Sequence, residues 1–256
     1  MALAIDIGNT NIVLGCFHGE KIDFIARIAT ERGRTVDQYA AEIKSIIQLY
    51  DKDPKNIEGS IISSVVPPLT TVLKRAVERI TGKTPLVVGP ELNSGVTVKI
   101  DDPNQLGADL LVAAVAGIKR YPLPQIIIDM GTATTFSVID KEGAFLGGSI
   151  LAGVNLSINA LSGGTAQLPA IDLSNPKKAC GSNTIDCMTS GAVYGSAAMV
   201  DGMIDRLSDE LGETPTIIAT GGIAKLIVPH CKHKNILLND DLLLQGLADL
   251  YYKNIQ

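Results

Sequence analysis

Ala4-Ile5-Asp6-Ile7-Gly8-Asn9-Thr10-Asn11 is the stretch whose reading decides the fold. Its apolar run with Ile at alternate positions reads as a buried strand, Gly8 to Asn11 as a tight turn, and Ile12-Val13-Leu14-Gly15-Cys16-Phe17 as the returning strand. Gly8 and Asn9 accept left-handed backbone angles, so successive N-H groups can converge on an anion, and Thr10 and Asn11 add neutral donors. Asp6 is an acceptor only at pH 7, which suits a hydrated divalent cation carried by that anion. Taken alone, the octapeptide also reads as an ordinary hairpin with a solvated polar turn.

A second copy decides between these readings. Ile126-Ile127-Ile128-Asp129-Met130-Gly131-Thr132-Ala133-Thr134-Thr135-Phe136 repeats the scheme of apolar strand, Asp, one residue, Gly and polar turn. The copies open the two halves of the chain, so internal duplication is the economical explanation. Two such turns facing each other would grip a polyphosphate from both sides.

Composition bounds the rest. A chain of 256 residues with a 46% apolar fraction fits one large or two ordinary globular domains. No apolar run reaches the roughly 18 residues of a membrane span, and the start lacks the basic segment of a secretion signal. Residues 1–124 carry 14 basic and 14 acidic residues, so the net charge of -5 belongs to the second half. With no basic stripe interleaved with aromatics, a nucleic-acid surface is not expected. Cys16, Cys180, Cys187 and Cys231 form no Cys-x-x-Cys pair, and His230-Cys231-Lys232-His233 reads as a loop rather than a zinc site. Reduced thiols in a cytoplasm are the expectation.

Along the chain, Lys21 to Ala29 alternates as a third strand, and Thr35 caps a helix with Tyr39, Ile43 and Ile47 inward. Gly59 to Val66 reads as a buried strand closed by Pro67-Pro68, with a helix and the strand Leu86-Val87-Val88 after it. Gly82-Lys83-Thr84 imitates the end of a P-loop, but Val77 stands where that motif needs Gly and the order of strand and helix is reversed. A helix is expected over 106–120, with Asp109 in its first turn, where the macrodipole favours a carboxylate whatever its role. Tyr121-Pro122-Leu123-Pro124 marks a boundary. The second half repeats the plan: a strand ending in Ala152, a helix, an irregular stretch over 165–183 and a long helix over 185–211. A buried strand over 215–220 then turns at Gly221-Gly222, and a short strand and a last helix over 240–252 follow. Gly191, Gly195, Ala197, Ala198 and Gly202 leave the long helix a thin face.

Together these features resemble the superfamily of acetate kinase, sugar kinases, Hsp70 and actin: an α/β fold of duplicated ribonuclease-H-like domains, each a mixed five-stranded sheet with flanking helices, here over 1–121 and 122–256. Asp6 to Asn11, Gly107-Ala108-Asp109, Asp129 to Thr135, Gly147-Gly148 and Thr220-Gly221-Gly222 are similar, in order and spacing, to the type III pantothenate kinases. That resemblance implies transfer of the ATP γ-phosphoryl group to pantothenate, giving 4'-phosphopantothenate for coenzyme A biosynthesis. It implies ATP phosphate binding by Asp6, Ile7, Gly8, Asn9, Thr10, Asn11, Ile12, Val13 and Thr132, with the nucleotide lying on Gly221 and Gly222. It implies Mg²⁺ held through water by Asp6, a monovalent cation (K⁺ or NH₄⁺) at Asp129, and a homodimer. Gly107, Ala108, Asp109, Leu110 and Thr184 would contact pantothenate, with Asp109 as the base. Family members usually carry Arg where Leu110 stands, an aromatic near Ile100, and Pro-Gly where this chain has Ala152-Gly153. These departures touch the acceptor side, where a guanidinium would pair with an anionic acceptor. A kinase for another small acceptor, or an ATP-binding regulator without catalysis, are the alternative readings.

Overall fold

The structure, a computed structural model, describes residues 1–255; Gln256, the last residue of the second domain as read from sequence, lies outside them. The chain forms two compact units, one of residues 1–96, 102–119 and 241 onward, the other of 97–101 and 120–240.

In the first unit, strands β1 (Ala2–Ile7), β2 (Asn11–His18) and β3 (Lys21–Ala29) form an antiparallel meander, and β4 (Gly59–Ser64) and β5 (Leu86–Val87) join parallel to β1, giving the order β3-β2-β1-β4-β5. Side chains alternate across the pleat, so β1 builds two different surfaces. Leu3, Ile5 and Ile7 face one core with Tyr39, Ile43 and Ile47 of helix α1 (Val36–Leu49) and Leu69, Leu73 and Val77 of α2 (Pro67–Thr81). Helix α1 starts where expected: Gln38 N donates to Thr35 Oγ1 and Thr35 N to Gln38 Oε1, a reciprocal cap.

Ahead of Asp6, the other side of β1 shows only Ala2 and Ala4, and β2 and β4 add Gly15 and Gly59. Small residues leave room, and large ones fill it. Leu244, Leu247, Leu250 and Tyr251 of α7 (Leu242–Asn254) and Val112 of α3 (Ala108–Arg120) occupy that side. A Cβ on Gly15 would lie 2.9 Å from Leu244 Cδ2, and one on Gly59 would collide with the Tyr251 ring. The last helix, which a boundary at 121 puts in the second half, therefore packs in the first unit, because its large residues match the bare side of β1. Segment 97–101 goes the other way: Phe145 N donates to Thr97 O and Lys99 N to Phe145 O, both at 2.8 Å, along an edge strand of the second unit.

The second unit repeats the topology with β6 (Gln125–Met130), β7 (Ala133–Ile139), β8 (Phe145–Ala152), β9 (Thr216–Thr220) and β10 (Leu237–Leu238) in the order β10-β9-β6-β7-β8. Ile126, Ile128 and Phe136 pack under Val154 and Ile158 of α4 (Val154–Gly163), Val193, Ala197 and Val200 of α5 (Thr184–Leu211), and Ala224 and Ile227 of α6 (Ala224–Ile227). The His230 to His233 loop is tied down by buried Asp201, which accepts from Lys232 N at 2.8 Å and His233 N at 3.1 Å. All four cysteines are free thiols. Among the described residues no helix is long and apolar enough to cross a membrane.

The tightest helix contact in the first unit is testable. A Cβ on Gly246 of α7 would collide with the Val112 carbonyl of α3 and lie 2.9 Å from Val112 Cγ1. Gly246→Ala should therefore cost about 1–3 kcal/mol and lower the thermal midpoint by several degrees. An unchanged midpoint in a melting experiment would show that α3 and α7 are not packed this closely.

Candidate active site

The two hairpins are built alike. Their first strands share one burial pattern, fully buried except at the Asp one residue before the strand's end. At the first turn Gly8 N donates to Asn11 O at 3.0 Å. Thr30 fixes the turn from β3's end: its Oγ1 donates to Gly8 O at 2.7 Å and its N to Thr10 O at 3.0 Å. With these carbonyls engaged, Asn9, Thr10 and Asn11 stand at the surface as an exposed polar tip. Ile7 and Ile12 are wholly buried in the core, so they can offer a ligand only their backbone, while Val13 is half-buried beside Asp6 in register. Arg32 donates to Asn9 Oδ1 at 3.2 Å and brings a guanidinium to the tip. Neither Thr30 nor Arg32 belongs to a motif; their places follow from the pairing of Asn11 with Ala29, which no spacing rule reveals.

At the second turn Gly131 N donates to Ala133 O and Gly153 N to Thr132 O, both at 3.0 Å. A Cβ on Gly153 would collide with the carbonyl oxygens of Gly131 and Thr132, so glycine is needed there even though Ala152 precedes it. Thr132 is exposed at the tip. Gly221, with φ +94°, has a left-handed conformation costly for any other residue. A Cβ on it would lie 2.5 Å from Asp129 Oδ1, so Asp129, Gly131 and the Gly221-Gly222 turn converge on one spot. Thr135 stands opposite Asp129 in register, and its Oγ1 is buried without a hydrogen-bond partner.

Asp109 begins α3 on the same side of the first sheet as Asp6, because α3 packs on the face that carries Ala2 and Ala4, and Asp6 alternates with them. Its Oδ1 accepts from Leu110 N at 2.9 Å, and a Cβ on Gly107 would lie 2.6 Å from the same oxygen. Gly107 and Ala108 thus let the carboxylate fold back over the chain. Burial pushes the Asp109 carboxyl above the ordinary carboxylate range, with the backbone hydrogen bonds at Leu110 and Asp109 opposing it in part. Leu110 is half-buried. Lys99, a cation near these residues in sequence, is held by Asp140 at 2.8 Å. Thr184 is the exposed first residue of α5; Asn183 caps that helix, accepting from Asp186 N at 2.9 Å.

Among the described residues no three His, Cys, Asp or Glu side chains cluster as a metal cage. A single carboxylate such as Asp6 is what a hydrated Mg²⁺ carried by phosphates requires. The oxygens of Asp129 and Thr135 are hard ligands of the kind a monovalent cation takes.

Known proteins resemble this chain over nearly its whole length. The family profile described as Type III pantothenate kinase matches residues 2–206. Proteins named Type III pantothenate kinase from an Exiguobacterium species and from Moorella thermoacetica are 42% and 39% identical to the chain, over 99% of it and 99% and 100% of themselves. Among solved structures, the activator of 2-hydroxyisocaproyl-CoA dehydratase from Clostridium difficile, with bound ADPNP, matches with TM-score 0.54 at 15% identity, covering 98% of this chain and 93% of that one. The ethanolamine utilization protein EutJ from Carboxydothermus hydrogenoformans matches with TM-score 0.56 at 15% identity, covering 96% and 88%. These two share the fold.

The raised Asp109 pKa has a consequence for stability. A carboxyl whose folded pKa lies above its unfolded value favours folding below the unfolded pKa of about 4 and loses that contribution as pH rises through the folded value. Asp109→Asn, neutral at every pH, should therefore melt higher than the parent at pH 7.5, with the gap closing as pH falls toward 4. Melting curves at several pH values check this, and a variant less stable at pH 7.5 would contradict it.

Proposed function

The chain belongs to the type III pantothenate kinase family, and from that membership we propose that it transfers the γ-phosphoryl group of ATP to the primary hydroxyl of pantothenate, the first step of coenzyme A biosynthesis. What supports the residue roles most is the recurrence of one carboxylate-bearing hairpin in both units, together with a desolvated Asp at the start of α3 in the first.

The backbone from Asp6 to Val13 and the Thr10 and Asn11 side chains bind the phosphates, joined by Thr132. Arg32 adds positive charge at the first tip, and Gly221-Gly222 leaves the backbone bare for the nucleotide. Asp6 accepts from the hydration shell of Mg²⁺, which when bound neutralises phosphate charge. Asp129, with Thr135 beside it, holds K⁺ or NH₄⁺. Gly107 to Leu110 and Thr184 contact pantothenate. Asp109 accepts the proton of the pantothenate hydroxyl, and a carboxyl pushed up by burial is a stronger base for that step than a solvated one. Positioning and charge neutralisation carry most of the catalysis, as in phosphoryl transfer generally.

A homodimer is part of this reading. Gly191, Gly195 and Ala198 lie exposed at helical spacing on α5, and a Cβ on either glycine would touch nothing within 4 Å. Ile150, Leu156 and Ile185 are also at least half exposed in that unit. A second copy could approach this thin face closely. The cytoplasm, where ATP is made and used, is the proposed compartment.

Coupled ADP release with ATP, Mg²⁺ and K⁺ should show turnover with pantothenate in preference to pantetheine or simple polyols. No turnover with pantothenate, but turnover with one of the others, would replace the acceptor. Asp109→Asn should lower kcat by about 10² while ATP affinity, read by calorimetry, stays near that of the parent. Near-normal turnover in this variant would leave Asp109 as a helix-start charge alone.

A further inference from the structure

Ser63 stands where no motif points. It is wholly buried (0% exposed), and its Oγ has no hydrogen-bond partner. A buried hydroxyl left unmatched is costly, and such groups in a native fold call for an explanation. Its place supplies one. Ser63 lies on β4, parallel to β1 and in register with Asp6. Ile61, two residues earlier, faces the core shared with Ala2 and Ala4, so Ser63 and Asp6 project from the same side of the sheet at neighbouring positions.

The second unit keeps the arrangement. There β9 takes the place of β4, and Asp129 is in register with Thr220, 1% exposed. Both copies thus set a buried hydroxyl on the parallel strand beside the hairpin carboxylate.

Resting on the assignment of Asp6 to the metal side of ATP, we propose that Ser63 is a positioning residue, donating its hydroxyl hydrogen bond to the Asp6 carboxylate in the nucleotide complex. A serine Oγ moves between staggered rotamers without disturbing its backbone, and neighbouring in-register side chains on one face are within reach of each other. The carboxylate has lone pairs enough to accept from Ser63 and from the hydrated metal together. Formed in the complex, this charge-assisted hydrogen bond holds the Asp6 carboxylate in one orientation toward the metal.

The test is Mn²⁺ affinity, followed by EPR in the presence of a non-hydrolysable ATP analogue, for the parent, Ser63→Ala, Asp6→Asn and the double variant. Ser63→Ala should bind Mn²⁺ about tenfold more weakly, raise the Mg²⁺ needed for half-maximal turnover by a similar factor, and melt no lower than the parent, since it removes an unmatched buried hydroxyl. The double variant should bind no more weakly than Asp6→Asn. Parental affinity in Ser63→Ala beside weakened Asp6→Asn would overturn the pairing and leave the role of Asp6 intact. Parental affinity in Asp6→Asn would remove that role, and the pairing with it. A lower melting temperature in Ser63→Ala with unaltered Mn²⁺ affinity would identify a packing residue.

Discussion

A charge at the end of a buried strand is the constraint on which this molecule depends. Asp6 and Asp129 each follow four fully buried residues on the central strand of a sheet, the place where a carboxylate is hardest to solvate. The fold answers by ending the strand one residue later in a turn that opens the chain to solvent. The glycines follow from this: Gly8 and Gly131 close the two turns through their amides, Gly153 admits the carbonyls of the second, and Gly221 has a left-handed backbone against Asp129 Oδ1. A side chain at Gly153 or Gly221 would push into the carboxylate's surroundings.

The start of α3 obeys a different logic. Asp109 is made basic chiefly by burial, with no ion pair to hold its charge, and its hydrogen bonds come from the backbone at its own helix start. Lys99 is committed to Asp140. Desolvation without a charged partner disfavours the ionised form, and the carboxylate is the more basic for it.

How much of this was legible beforehand depended on whether a feature is local. The hairpins, the Thr35 cap and the five-strand plan of each half lie within short windows of periodicity and turn chemistry, and the structure places them as expected. The pairing of α7 with β1 is not local. It follows from Ala2, Ala4, Gly15 and Gly59 sharing one surface, which requires the sheet order to be known first. Thr30, Arg32 and Ser63 were hidden for the same reason, since each reaches the site through strand register. Asp109 was visible as a residue, but its raised pKa was not, because burial is a property of the packed chain.

The assembly of the first unit from separated segments has a consequence for biogenesis. Residues 242–254 supply Leu244, Leu247, Leu250 and Tyr251 to the core behind β1, yet they leave the ribosome only after all of residues 120–240. The half encoded first is thus the half completed last. While synthesis continues, the surface of Ala2, Ala4, Phe17 and Ile61 lacks α7 and has only α3 to cover it, so a nascent chain at that stage exposes apolar surface that a chaperone would bind.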